Sequence, residues 1–135
     1  MNITIKETKH IEQAAIVELY QANQWSSAKK PDLLYKALMN SDSFVTAWDN
    51  EKLVGLGNAL SDGFLVVYYP HLLIHPAYQG KGIGKLILDR FQEKYNGFHQ
   101  QILVADGKAV NFYEKCGFKT AGETKSMWIY QGDDH

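Results

Sequence analysis

Cysteine is almost missing from this chain: Cys116 is the only one among 135 residues. An internal disulfide is therefore excluded, and so is a zinc site built from cysteines. Arginine is equally rare. Thirteen of the 14 cationic residues are lysines and Arg90 stands alone, so bidentate guanidinium forks on phosphate or guanine are no general strategy here. Neither sign of charge dominates. Fourteen basic residues against 15 acidic ones leave a formal charge of −1, where a nucleic-acid binder usually carries a basic surplus. No apolar run approaches the roughly 20 residues that span a bilayer. Met1 to Lys9 alternates apolar and polar residues, so no signal peptide is expected at the start. Together these absences point to a reducing cytoplasm and to partners that are neither membrane nor nucleic acid. The five histidines are too scattered for metal-ligand spacing, and no metal is expected. The three prolines, Pro31, Pro70 and Pro76, act as punctuation and not as a linker. With no repeat and no low-complexity tract, residues 1–135 are expected to form one domain.

What is present is ordinary globular composition. Apolar residues make up 45% and charged residues 21%, which rules out a disordered chain. A chain of this length buries about two-thirds of its unfolded surface and needs no covalent staple. Ile3 and Ile5 alternate with polar residues and predict a short strand. From Thr8 to about Asn23 the period turns helical, with Ile11, Ala15 and Leu19 on one face. Pro31 and Asp32 suit the first turn of a second helix carrying Leu34 and Leu38. Three strands follow: Phe44 to Trp48, Leu53 to Leu60, and Phe64 to His75, separated by Asp49-Asn50 and Ser61-Asp62-Gly63 turns. Pro70 falls inside the third and marks a bulge or a free edge, because proline cannot donate to a ladder. A helix follows Pro76, on which Ile83, Leu86, Ile87, Phe91 and Tyr95 keep three-and-four spacing. Ile102 to Ala105 reads as a short buried strand. Ala109, Phe112, Tyr113 and Cys116 form the face of another helix, stopped by Gly117. Phe118 onward and Met127 to Tyr130 read as two last strands, and Gly132 to His135 as a frayed polar tail. The order is β-α-α-β-β-β-α-β-α-β-β. This is an α/β (α+β) architecture: a mixed, mostly antiparallel sheet of about seven strands with about four helices. The Leu65–Ala105 unit is expected to be a right-handed parallel crossover.

The sharpest local feature is Gln79-Gly80-Lys81-Gly82-Ile83-Gly84-Lys85, between a strand and a helix. Three glycines in five residues let a backbone come close to a ligand. The helix that follows aims unpaired N–H groups and a positive dipole end at the same spot, which suits phosphate. Two better-known loops do not match. A P-loop needs Ser or Thr after Gly-Lys, and Leu86 stands there. A dinucleotide fingerprint needs a sixth-position glycine, where Lys85 stands, and an acidic residue about 20 positions on, where Gln100 and Gln101 stand.

The run Leu73-Ile74-His75-Pro76-Ala77-Tyr78-Gln79-Gly80-Lys81-Gly82-Ile83-Gly84 resembles the acetyl-coenzyme A signature of the GNAT superfamily of N-acetyltransferases. Its Gln/Arg-x-x-Gly-x-Gly/Ala pattern is met by Gln79, Gly82 and Gly84. About 30 residues later, Asn111-Phe112-Tyr113 to Gly117-Phe118 is similar to the family's Asn-Phe-Tyr-x-x-x-Gly-Phe helix. The resemblance implies that backbone N–H groups of Gly80, Lys81, Gly82, Ile83, Gly84 and Lys85 hold the cofactor pyrophosphate. It also implies that Leu73 and Ile74 pair with the pantetheine arm in the gap of a splayed parallel strand pair, and that Asn111 bonds the arm's end. The expected reaction is direct acetyl transfer from acetyl-coenzyme A to a primary amine of a small molecule or peptide, with a homodimer as a family-level expectation. A different class fits the cofactor motifs too: a non-catalytic acyl-coenzyme A sensor.

Such a transfer needs a neutral amine, a polarised thioester carbonyl, a protonated leaving thiolate and two reactants held in line. The backbone N–H near Ile74 is the oxyanion donor the resemblance implies. Tyr113 is the candidate acid, since a phenol is protonated at pH 7 and can donate to a thiolate as it forms; the bland alternative is a ring sharing the core face with Phe112 and Cys116. His71 stands where similar sequences tend to carry an aspartate and is the candidate base; the alternative is a histidine hydrogen-bonded at a bulge. Tyr68 and Tyr69 are expected beside it in the acceptor site, and Trp25, in the loop between the first two helices, as a wall of it or as a seal on the core. Cys116 is expected to be inert on its apolar face. His75 is expected to be structural, and His10, His99 and His135 to face solvent.

Overall fold

The computed structural model describes residues 1–133. Its framework is a six-stranded sheet of β1 (Ile3–Lys6), β2 (Ser43–Asp49), β3 (Lys52–Ser61), β4 (Val66–Tyr68), β5 (Leu72–Ile74) and β6 (Gln100–Ile102). Four α-helices pack on it: α1 (Gln13–Ala22), α2 (Pro31–Met39), α3 (Ile83–Lys94) and α4 (Val110–Lys115). The strands run β1-β2-β3-β4-β6, with β5 also on β3. All pairs are antiparallel except β4 with β6. Among the described residues the β4–α3–β6 crossover is thus the one parallel connection, as expected from the Leu65–Ala105 unit.

Each face of the sheet carries its own apolar cluster. On one face α3 lays Ile83, Ile87, Leu88 and Phe91 over Val45, Ala47, Val54, Ala59 and Val67, with Phe112, Tyr113 and Phe118 at its margin. On the other face α1 and α2 lay Ile16, Leu19, Tyr20, Leu34 and Leu38 over Phe44, Leu53, Leu56 and Leu73. Each Val, Leu, Ile or Phe side chain among them contributes about 1.5–3 kcal/mol when fully buried. Two glycines keep this face open to close packing, Gly57 beneath α3 and Gly55 beneath the Ile74 side chain of β5. A Cβ on Gly55 would lie 2.7 Å from Ile74 Cδ1, and one on Gly57 would lie 2.9 Å from Phe91 Cε2.

Several sequence expectations are corrected, among them the short buried strand over Ile102–Ala105, which is instead β6 at Gln100–Ile102 with Ile102 40% exposed. The helix expected from Thr8 begins at Gln13, because Glu12 holds extended backbone at the cap. The single strand expected over Phe64–His75 is broken into β4 and β5 around Pro70. The two strands expected after Phe118 do not form among the described residues. A strand exists only through a ladder, and this segment finds none: Met127 and Ile129 are 92% and 96% exposed. The chain end is held elsewhere. Asp133 donates its backbone N–H to Ser26 Oγ at 3.0 Å and pairs with Lys29 at 2.9 Å, on the α1–α2 connection. Gly132 and Asp133 are therefore not frayed as expected; Asp134 and His135 lie outside the described residues.

Candidate active site

The site begins with a counting mismatch. Leu60 pairs with Tyr68, and Gly57 pairs with Leu72. That is three steps along β3 against four along its partner, so one extra residue is inserted between β4 and β5. The last bond from this segment to β6 is Tyr69 N–H to the Ile102 carbonyl, at 3.0 Å. Pro70 follows and has no N–H to continue. His71 then turns its N–H to the Asn58 side chain, donating to Oδ1 at 3.1 Å, while its carbonyl accepts from Asn58 N–H at 3.1 Å. Asn58 is buried, and its Nδ2 donates to Ser41 Oγ at 3.0 Å. One asparagine thus satisfies the backbone that the bulge removes from the ladder.

Beyond the bulge, β5 pairs with β3 and not with β6. The two parallel strands separate there, as the resemblance implies. Hydrogen bonds from Asn58 to the His71 carbonyl and from His75 to the Val54 carbonyl fix the alternation. His71, Leu73 and His75 direct their backbone groups to β3, and Leu72 and Ile74 direct theirs into the gap. Ile74 is where it was expected. Leu73 is not: its side chain fills the α1 face and its backbone is taken up by β3, so Leu72 replaces it.

The glycine loop opens beside this gap. Gly80 and Gly82 have φ of 77° and 83°, the left-handed region that a Cβ disfavours. Gly82 caps α3, and no side chain caps the helix. The first-turn N–H groups of Ile83, Gly84 and Lys85 have no intrahelical acceptor by geometry. Gly84 has a second duty. A Cβ there would lie 3.0 Å from the Phe112 ring of α4, so this glycine seats α4 against α3. Gln79 donates from Nε2 to the Ile74 carbonyl at 3.0 Å and to Asn23 Oδ1 at 3.4 Å, tying the loop to β5 and to the end of α1. Lys81 is exposed, whereas Lys85 is turned along the helix to Asp89 at 3.1 Å.

On α4, Asn111 is exposed and Tyr113 is half-buried, its ring against Phe112 and Phe118. No group among the described residues hydrogen-bonds the Tyr113 hydroxyl. Burial, with a smaller contribution from Cys116, pushes its pKa up to about 12. Burial also raises the Cys116 thiol, partly offset by Lys85, which keeps it protonated and inert.

Across the sheet, His71 and Trp25 come together. Their rings are 5.2 Å apart and edge-on, and Tyr20 packs on both. The Tyr20 hydroxyl lies 2.8 Å from His71 Nδ1. Tyr68 lies on this same face, in register with Leu60. Tyr69 does not, which corrects its expected place in the acceptor site. It is buried under α3 against Phe91, Tyr95 and Phe118, with its hydroxyl donating to Gln101 Oε1 at 2.8 Å. The extra residue at the bulge explains both outcomes: it inverts the alternation, so His71 does not follow Tyr69 to the α3 face. His75 is structural, its Nδ1 accepting from Ala77 N–H. Two residues of the site escaped the sequence reading. Asn58 was visible as a lone amide in an apolar strand, and Tyr20 as a hydroxyl on a buried helix face.

Comparison with known proteins gives this arrangement a family. Residues 4–128 match the acetyltransferase (GNAT) domain model. The chain belongs to the GNAT acetyltransferase family. A GNAT family acetyltransferase from Streptococcus pneumoniae has the same fold, with a TM-score of 0.83, 30% identity, and coverage of 96% of this chain and 98% of that one. An uncharacterized N-acetyltransferase, ycf52, from Gracilaria tenuistipitata var. liui is 36% identical over 98 residues. That match covers 66% of this GNAT chain and 54% of the relative, so the chain spans about half that protein's length. An aminoglycoside N-acetyltransferase solved in complex with CoA shares the fold alone, with a TM-score of 0.71 at 14% identity over 96% and 94% of the two chains. Among the described residues no cluster of three or more His, Cys, Asp or Glu fit to hold a metal occurs, and no helix is long and apolar enough to cross a membrane.

Proposed function

We propose that this GNAT chain transfers the acetyl group of acetyl-coenzyme A directly to a primary amine of a small molecule or peptide in the cytoplasm. The observation that carries the reading is the gap between β5 and β6, with different chemistry on its two sides. The glycine loop, Asn111 and Tyr113 belong to α3 and α4 on one face of the sheet. Trp25 and His71 stand with α1 on the other. A thioester drawn through the gap meets its amine where these faces meet.

The residues divide the work as follows. The left-handed Gly80 and Gly82 and the uncapped start of α3 offer N–H groups to the pyrophosphate. Leu72 and Ile74 turn backbone groups to the pantetheine arm, and the Ile74 N–H faces the thioester oxygen as charge develops on it. Trp25 and Tyr68 flank the amine. The nitrogen attacks the carbonyl carbon, a C–N bond forms and the C–S bond breaks. Tyr113 delivers its hydroxyl proton to the departing sulfur and regains one from solvent. With its pKa pushed up to about 12, Tyr113 is protonated throughout the physiological range.

A non-catalytic acyl-coenzyme A sensor has no use for that proton. Tyr113→Phe keeps the ring and removes the donor. Acetyl-coenzyme A binding, read by calorimetry, should be unchanged, and kcat, read by thiol release with a panel of amines, should fall about 10²-fold or more. Equal turnover in the two proteins would reduce Tyr113 to packing; binding without turnover on any amine would favour the sensor.

A further inference from the structure

The contact between Tyr20 and His71 decides what kind of group His71 presents. Tyr20 is wholly buried. Its hydroxyl has a single hydrogen-bond partner among the described residues, His71 Nδ1 at 2.8 Å. Two proton arrangements fit that distance. In one, Tyr20 donates to a bare Nδ1, and the neutral ring carries its hydrogen on Nε2. In the other, Nδ1–H donates to the phenol oxygen, and the phenol hydrogen is left with no acceptor in a site that water does not reach. A buried donor without an acceptor is the costly case, so the first arrangement prevails. Burial also keeps Tyr20 from giving up its proton and becoming a pure acceptor. Trp25 closes the ring's other side with an edge-on contact, which keeps the imidazole from flipping to exchange its nitrogens.

We infer that Tyr20 is a positioning residue that holds neutral His71 as the Nε2–H tautomer, so that His71 meets the acceptor as a hydrogen-bond donor and not as its base. The inference rests on the acetyltransferase reading for its catalytic consequence, but not for the tautomer itself. A ring with hydrogen on Nε2 has no lone pair there to take the amine's proton. That proton passes to solvent water after the C–N bond forms, while Tyr113 protonates the thiolate, and the exchange of protons balances without His71.

The tautomer is read directly by long-range proton–nitrogen correlation spectra of the nitrogen-15-labelled protein without substrates, with His71 assigned from its disappearance in His71→Gln. The expected pattern is a bare, acceptor-type Nδ1 and a proton-bearing Nε2. A proton-bearing Nδ1 in the wild type would overturn the inference. Tyr20→Phe should release the ring into a mixture of both tautomers; a pure Nε2–H form in that variant would show that Tyr20 does not set it. If Tyr20→Phe does not fold, the wild-type spectrum decides alone. Turnover adds an independent reading. Gln carries an N–H near the Nε2 position but cannot act as a base. His71→Gln should stay within about tenfold of the wild type, while His71→Ala should lose about 10²-fold, the lower end of what removing one preorganised hydrogen-bond donor costs. Equal loss in both would restore His71 as the base. A protein with no turnover at all would sink the acetyltransferase reading and leave the spectra to judge the tautomer.

Discussion

Replacing Asn58 by alanine tests whether the bulge is held by the side chain that the structure places behind it. The Asn58 amide makes two hydrogen bonds, accepting from His71 N–H at 3.1 Å and donating to Ser41 Oγ at 3.0 Å. They are not equivalent. Ser41 keeps a second partner, because its hydroxyl donates to the Ala37 carbonyl at 3.0 Å; losing the Asn58 bond should cost it about 0.5–1.5 kcal/mol. The His71 N–H points to β3 and takes Asn58 Oδ1 in place of a ladder carbonyl. Stranding it costs about 1–3 kcal/mol. The total is about 1.5–4.5 kcal/mol, a large share of the roughly 5–15 kcal/mol that holds such a domain. Urea unfolding followed by circular dichroism should show the midpoint falling at unchanged slope. Ser41→Ala leaves the bulge bond intact but strands the buried Asn58 Nδ2, so it should cost about 1–3 kcal/mol as well. A loss below about 0.5 kcal/mol in Asn58→Ala would refute the whole account of the bulge. A second readout separates site from stability. Well below the unfolding midpoint, Asn58→Ala should raise the KM for the amine more than the KM for acetyl-coenzyme A, because His71 is re-aimed while the glycine loop is untouched.

Gly84 should distinguish one methyl from a side chain. In Gly84→Ala the new Cβ meets the edge of a half-buried Phe112 ring at 3.0 Å. The ring's small retreat is offset by about 1 kcal/mol of helix propensity, so stability should be nearly unchanged in thermal unfolding. Gly84→Leu should cost about 1–3 kcal/mol by overpacking α4 and should weaken acetyl-coenzyme A binding in calorimetry; a stable, tight-binding leucine variant would show that α4 is not seated on this glycine. Asp62 should shape the acid limb of stability. Its carboxylate accepts N–H bonds from Phe64, Leu65 and Val66 at 2.8, 2.8 and 3.2 Å, which hold its pKa below the usual value. The stabilisation is therefore present above about pH 4 and is lost as pH falls through the lower folded value. Stability of Asp62→Asn measured by urea unfolding should fall less steeply below about pH 4 than that of the wild type, and parallel curves would remove Asp62 from the acid response.

Much of this architecture was legible because it rests on local signals. Helical period, the Asp49-Asn50 turn and the glycine loop each depend on neighbouring residues, and all recur in the structure. Pro70 even marked the bulge. What a local pattern cannot carry is parity across an insertion. Tyr68 and Tyr69 were both expected in the acceptor site, but neighbours on a strand face opposite sides, and Tyr69 belongs under Phe91. Leu73 and Ile74, taken together from the resemblance, cannot both face the gap, and Leu72 stands there with Ile74. The segment from Met127 to Tyr130 shows the other limit. Its residues suit a strand, but a ladder is a non-local event, and the chain end is tied by Asp133 to Lys29 and Ser26. Asn58 and Tyr20 were hidden for a third reason: each matters only through a partner distant in sequence, His71 in both cases.

The one inserted residue ties these effects together, because three requirements of the site are met by a single change in register. Acetyl transfer needs an opening between parallel strands, backbone donors lining it, and a polar side chain on the acceptor face. Without the insertion, position 71 would share the α3 face with Val67 and Tyr69, and Leu72 would face Tyr20. The α1 face would then hold an apolar residue where the buried Tyr20 hydroxyl now has its only partner among the described residues. Strand pairing with β6 would also have no reason to stop at Ile102 except the missing N–H of Pro70. With it, pairing stops, Leu72 and Ile74 face the gap, and His71 crosses to Tyr20 and Trp25. The cost is one backbone N–H removed from the ladder, and Asn58 offsets it. Site and fold are therefore not separable here: the interaction that stabilises the bulge is the same one that aims the histidine.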